Sequence, residues 1–96
     1  MKNPISNLNK AFESRIRLGI MSTLMVNDSM DFNSLKELLE VTDGNLASHL
    51  KALEQSEIIE VTKQFVGRKP NTTYSATALG KVQFRQHITA LENLLK

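Results

Sequence analysis

The chain has 96 residues, enough for one domain with a modest core of Leu, Ile, Val and Phe, and too few for a second. It contains no cysteine, which excludes thiol catalysis, disulfides and thiolate metal sites. A net charge of +2 and a pI near 9.1 are only mildly basic, so the choice of partner depends on where the cations lie.

Residues 1–7 lack the apolar run of a signal peptide. No segment approaches the roughly 20 apolar residues that span a bilayer, so a cytoplasmic protein without a membrane partner is expected. Lys2, Lys10, Arg15 and Arg17 stand near the start of the chain against Glu13 alone. Residues 7–12 read as a short helical turn, and a longer helix follows over about residues 14–26. In it Ile16, Ile20 and Leu24, with Met21 and Met25, recur at helical spacing, and the methionines read as core filler. Arg15 and Arg17, in its first turns, either touch a phosphate or are solvated.

Residues 27–31 are rich in turn formers, and Phe32 either pairs briefly as an edge strand or anchors the loop in the core. A second helix starts with Asn33 or Ser34 at its cap, carries Leu35, Leu38 and Leu39 inward and ends near Glu40 and Val41. So short a helix persists only by packing. The connection Val41-Thr42-Asp43 is too short for antiparallel stacking and suits two helices meeting at a large angle, a helix-turn-helix over about residues 33–56. An ordinary angular pair in a small bundle is the alternative.

The third helix has two unlike faces. At about 100° per residue Leu46, Leu50 and Leu53 form a core stripe, and Gly44, Ser48, Lys51 and Gln55 fall opposite. Thr42 suits the N-cap, and Asp43 the positive end of the helix dipole. Exposed faces usually carry long Lys and Glu side chains. A face of Gly, Asn, Ala, Ser and Gln lets the backbone approach a partner closely, as a helix entering the major groove requires. His49 borders the leucine stripe and is either packed or turned to a phosphate.

Two β-biased runs follow, residues 58–66 and 72–77, with Gly67-Arg68-Lys69-Pro70-Asn71 as the turn between them. This hairpin, over about residues 58–77, has a cationic tip: Lys63, Arg68 and Lys69 meet no acidic residue between Val61 and Thr77. Placed after such a helix it reads as a wing for the phosphate backbone or minor groove. Thr77 caps a last helix over about residues 78–95, with Gly80 allowing close packing under the hairpin. Its stripe of Phe84, Ile88, Leu91 and Leu95 outruns a compact core, so it either folds back on the opening helix or pairs with a second chain. His87 is expected at the surface or in that interface.

Taken together, Ser14-Arg15-Ile16-Arg17-Leu18-Gly19-Ile20-Met21, Phe32-Asn33-Ser34-Leu35, Leu46-Ala47-Ser48-His49-Leu50-Lys51-Ala52-Leu53-Glu54, Gly67-Arg68-Lys69-Pro70 and Tyr74-Ser75-Ala76-Thr77-Ala78-Leu79-Gly80 resemble the single-domain winged-helix transcriptional regulators of the MarR and ArsR groups. The likeness covers nearly the whole chain, including a Thr-Asp-Gly-Asn-Leu start at residues 42–46. It implies a prokaryotic DNA-binding regulator acting as a dimer. The thiolate or His-rich sites of metal-sensing relatives have no counterpart here.

The expected fold is mainly α with a small β-hairpin (α+β), a winged helix-turn-helix with a three-helix core, a wing and a C-terminal dimerisation helix, all in one domain over residues 1–96. The expected function is sequence-specific binding of double-stranded DNA by a homodimeric regulator, a repressor on a pseudo-palindromic operator. No catalysis, cofactor or metal is expected, since no phosphate loop, nucleophile motif or ligand cluster is present. The candidate contacts are Thr42, Gly44, Asn45, Ser48, His49, Lys51 and Gln55 on the helix, and Lys63, Arg68, Lys69, Ser34 and Arg15 at the wing and flanks. Phe84, Ile88, Leu91 and Leu95 are the candidate dimer contacts. A winged-helix module that binds another protein is the alternative.

Overall fold

Each α-helix begins where a side-chain oxygen takes up an orphan amide of the first turn. In the computed structural model, which describes residue 3 and residues 5–96, the helices are α1 (Arg15–Met25), α2 (Phe32–Leu39), α3 (Asp43–Gln55) and α4 (Ala78–Leu94). Ser14 accepts from the Arg17 amide at 3.3 Å, Thr42 from Asn45 at 3.2 Å and Thr77 from Gly80 at 2.9 Å. Such caps contribute about 0.5–2 kcal/mol each. Lys2 lies outside the described residues.

The start of α2 corrects the sequence expectation. Its cap is Asp31, whose carboxylate accepts from the Ser34 amide at 3.0 Å, and neither Asn33 nor Ser34. Hydrogen bonds from Ser34 hold the Asp31 carboxyl below its ordinary pKa. Phe32 is therefore the first helical residue, and the brief edge strand is β1 (Met30–Asp31) just before it. Leu38 is also corrected, since only Leu35 is fully buried and Leu38 is 60% exposed. At the end of α2, Glu40 turns the chain with a φ of 52°, and Val41 and Thr42 lead directly into α3.

β2 (Ile59–Val66) and β3 (Lys69–Ala76) form the hairpin, and the antiparallel sheet has the order β1-β3-β2. Val66 pairs with Lys69, so the tip is the two-residue turn Gly67-Arg68, and Lys69, Pro70 and Asn71 belong to the strand. Gly67, with φ +67°, supplies the positive dihedral that a two-residue turn needs at its first central position. Pro70 is tolerated because β1 reaches only Thr73 and Tyr74, leaving β3 a free edge farther out.

The core lies where α1, α3, β2 and the first half of α4 meet. Ile20, Met21, Leu24, Leu35, Leu46, Leu53, Ile58 and Ile59 are fully buried there. Phe12, from the 3₁₀ turn Lys10–Phe12, stacks edge-on against Phe84 with centroids 5.1 Å apart. Gly80 lies under the hairpin, where an added Cβ would fall 2.0 Å from the Ile58 carbonyl oxygen. The sequence therefore folds α4 back against the sheet at its start and lets it run on beyond the core, in a molecule measuring 58 × 25 × 22 Å.

Candidate nucleic-acid interface

The three inward leucines set the orientation of α3. With Leu46, Leu50 and Leu53 buried, Gly44, Ser48, Lys51 and Gln55 are exposed on the outer face, Asn45 is exposed on the flank beside it, and the N-cap Thr42 is exposed at the start of the helix. An added Cβ at Gly44 would have no atom within 4 Å. Gly44, the second residue of α3, is therefore not required there by any packing contact. The outer surface of α3 is thus low, neutral and capable of hydrogen bonding at its first turns.

His49 takes a different place from these. It is half-buried on the flank of α3 that faces α1, and its Nδ1 accepts from Arg17 Nε at 2.9 Å. Burial and the Arg17 charge both hold its pKa below the ordinary value, so the neutral ring is favoured. His49 is thus a half-buried histidine hydrogen-bonded to the Arg17 side chain. Sequence periodicity puts both residues near this surface without revealing that they touch.

The opposite flank of α3 faces the wing across a cleft of about 460 Å³. Ala47, Lys51 and Glu54 line the helix side, and Val61, Lys63 and Tyr74 line the strand side. Burial, and then the charge of Glu54, raise the pKa of the Tyr74 phenol. Sequence reasoning does not single out Glu54 or Tyr74 as members of this surface. The only signal for Glu54 is its place one turn after Leu50 and two turns after Ala47, and Tyr74 depends on a strand register that no local pattern gives.

Arg68 and Lys69 are exposed at the tip of the wing, and Ser34 is exposed in the first turn of α2. Arg15 is exposed as well, beside Leu38, Leu39 and Val41 at the corner that leads into α3. Among the described residues the single ion pair is Lys36 with Asp43, at 2.8 Å between α2 and the start of α3. Lys51, Lys63, Arg68 and Lys69 therefore have no carboxylate partner among the described residues. Nor does any group of three His, Asp or Glu among them gather closely enough to hold a metal ion.

At α4 the expectations need correction. Phe84 is 4% exposed and packed against Phe12, so it belongs to the chain's own core and not to a free interface. His87 is buried, not a surface residue: its Nδ1 accepts from the Asn9 amide at 2.9 Å and its ring tilts against Phe12. Ile88 and Leu91 are half-buried, and Leu95 is 90% exposed.

A short helix pair meeting at a tight turn, with a cationic hairpin beside the second helix, defines a winged helix-turn-helix. Residues 16–95 match the winged helix DNA-binding domain family, and the chain belongs to it. Over 87 residues the chain is 37% identical to an uncharacterised protein of Methanocaldococcus jannaschii, covering 91% of this chain and 95% of that one. It is similar in structure to a transcriptional regulator homologue from Pyrococcus horikoshii, with a TM-score of 0.82 and 26% identity over 88% of this chain and 84% of that one. It shares its fold with YodB from Bacillus subtilis in the diamide-treated form, at a TM-score of 0.74 and 24% identity over 88% of this chain and 84% of that one. The chain is a DNA-binding regulator by family, and no described helix is long and apolar enough to cross a membrane.

Proposed function

We propose that the chain is a transcriptional repressor that reads a pseudo-palindromic operator as a homodimer, in the cytoplasm of a prokaryotic cell, with no catalytic role. The observation that carries this reading is the open surface at Gly44, bordered by neutral side chains that can read base edges and by cations with no carboxylate partner among the described residues. α3 enters the major groove with Asn45, Ser48 and Gln55 toward base edges. Lys51 and Lys63, on opposite walls of the cleft, meet the phosphates that pass between helix and wing, and Arg68 and Lys69 meet those beyond. Repression follows from occupying the operator, which needs no second activity.

The dimer rests on α4. Ile88 and Leu91 are half-covered and Leu95 is free, so the stripe leaves the chain's own core partway along the helix. Pairing with a second copy would cover it. Leu91→Glu with Leu95→Glu, which spares the buried Phe84, should give monomers in sedimentation at concentrations where the wild type is dimeric.

Selection of bound sites from a random duplex pool tests the whole reading. It should return two inverted half-sites with centres about 10 bp apart, or a multiple of that. A chain that retains no duplex even at low salt would instead be an interaction module that uses the same surface for a protein.

A further inference from the structure

The wing carries apolar side chains that the core does not use. Phe65 is 74% exposed and Val66 62% exposed, immediately before the Gly67-Arg68 turn. Neither belongs to the core cluster or packs against it. Side chains alternate along a strand, so Phe65 shares a face with Val61 and Lys63. Those two residues line the cleft against α3. The side of the wing that faces α3 therefore carries Lys63 and then, about 7 Å farther toward the tip, Phe65 with Pro70 opposite it on β3.

The surroundings of Phe65 select its partner. Every charged residue between Val61 and Thr77 is a cation: Lys63 on one side of Phe65, and Arg68 and Lys69 on the other. None has a carboxylate partner among the described residues. A large apolar ring set between unneutralised cations suits a polyanion with an apolar interior. A DNA duplex offers that combination, with phosphates on its rims and stacked bases and sugars in its groove.

We propose that Phe65 is an apolar wedge that the wing sets into the minor groove, partly unstacking one base step and bending the duplex, while Lys63, Arg68 and Lys69 hold the flanking phosphates. This rests on the DNA-binding reading above and extends it. Insertion of an apolar side chain between base steps kinks DNA, and the cost is smallest at flexible pyrimidine–purine steps. Phe65 thus gives the protein a preference for TA or CA steps under the wing, at a position where no hydrogen bond reads the base.

The test uses the full chain and the best duplex from the random pool, end-labelled so that energy transfer reports the bend, with affinity measured over a range of salt. Phe65→Ala should keep the wild-type melting temperature, lose the bend, and weaken binding on the order of tenfold with an unchanged salt slope. Phe65→Leu, which keeps an apolar wedge, should retain most of the bend. Arg68→Ala should flatten the salt slope and leave the Phe65 effect in place. A straight duplex in the wild-type complex, or a Phe65→Ala complex bent like the wild type, would overturn the wedge while leaving DNA binding intact. Binding of no duplex by the wild type would overturn the DNA-binding reading and the wedge with it. A change in sedimentation on Phe65→Ala would assign the ring to contact with a second copy and would also overturn the proposal.

Discussion

α3 and α4 carry the same kind of apolar stripe, yet the fold treats the two differently. In α3 the stripe of Leu46, Leu50 and Leu53 is wholly enclosed, because α1 covers one flank and β2 the other, and the exposed residues are small or polar, with the long Lys51, Glu54 and Gln55 in the second half of the helix. In α4 only Gly80, Phe84, His87 and Ala90 are buried; Leu91 is half-covered and Leu95 is bare. Spacing shows that a helix has an apolar face. What covers that face depends on elements distant in sequence, and α4 outruns them. The outer surface of α3 thus presents polar groups, while the end of α4 presents leucine.

The largest expected contrast is in stability. Leu46→Ala opens a cavity in a closed core and should cost about 2–5 kcal/mol, whereas Leu95→Ala in dilute protein should change stability by less than about 0.5 kcal/mol. Urea unfolding of both variants measures the difference. Equal losses would mean that the end of α4 is covered within one chain, and the comparison would fail.

The next effect separates helix from wing. Asn45→Ala or Ser48→Ala, where the side chain meets a base, should cost about 1–3 kcal/mol on the best site and little on random DNA. Arg68→Ala and Lys69→Ala should weaken binding to every sequence alike and reduce the slope of log K against log salt by about 0.9 for each phosphate that is no longer neutralised. Lys51, beside both the helix face and the cleft, is the informative control. Unchanged salt slopes together with an unchanged specificity ratio would remove this surface from DNA binding.

The same contrast explains what the sequence reveals. Thr42 and Thr77 are legible as caps because each hydroxyl residue directly precedes a periodic run, and both accept the expected amides. Asp31 is hard to recognise because Asn33 and Ser34 offer equally good cap chemistry two and three residues later. The wing tip looks longer in the sequence than it is because Pro70 and Asn71 are turn formers, and only the register shows that β3 has an open edge there. His87 cannot be placed from local pattern at all. Its burial depends on Asn9 and Phe12, far away in sequence. For the site, the outer face of α3 follows from periodicity, while the Arg17–His49 bond and the cleft require tertiary geometry.

His87 makes a pH test at the α4 end. Burial holds its pKa below the ordinary value of 6.5, with Glu13 acting weakly in the opposite direction. The folded state therefore favours the neutral ring, which contributes fully above pH 6.5. Stability falls as pH drops below 6.5 toward the lowered folded value, and then levels off. His49 is shifted in the same direction. Thermal unfolding between pH 7.5 and 5 should show this loss, reduced in His87→Gln and reduced further when His49→Gln is added. An identical pH profile in the double variant would place the titrating groups elsewhere.

The smallest effect concerns the ion pair between α2 and α3. Lys36 and Asp43 join the two helices of the helix-turn-helix at 2.8 Å, but their side chains are 41% and 70% exposed, so water and salt weaken the attraction. Asp43 also lies in the first turn of α3, where a carboxylate is favoured by the helix dipole whether or not Lys36 is present. Asp43→Asn removes both contributions, while Lys36→Ala removes only the pair, so a double-mutant cycle isolates the coupling. That coupling should be about 0.2–1 kcal/mol at low salt and fall toward zero near 1 M salt, where the screening length is about 3 Å. The leucine side chains at the far end of α4 carry no charge, and association through them should persist at that salt. A dimer that dissociates in salt along with the ion pair would mean that charges, rather than the Leu91 and Leu95 stripe, hold the two copies together.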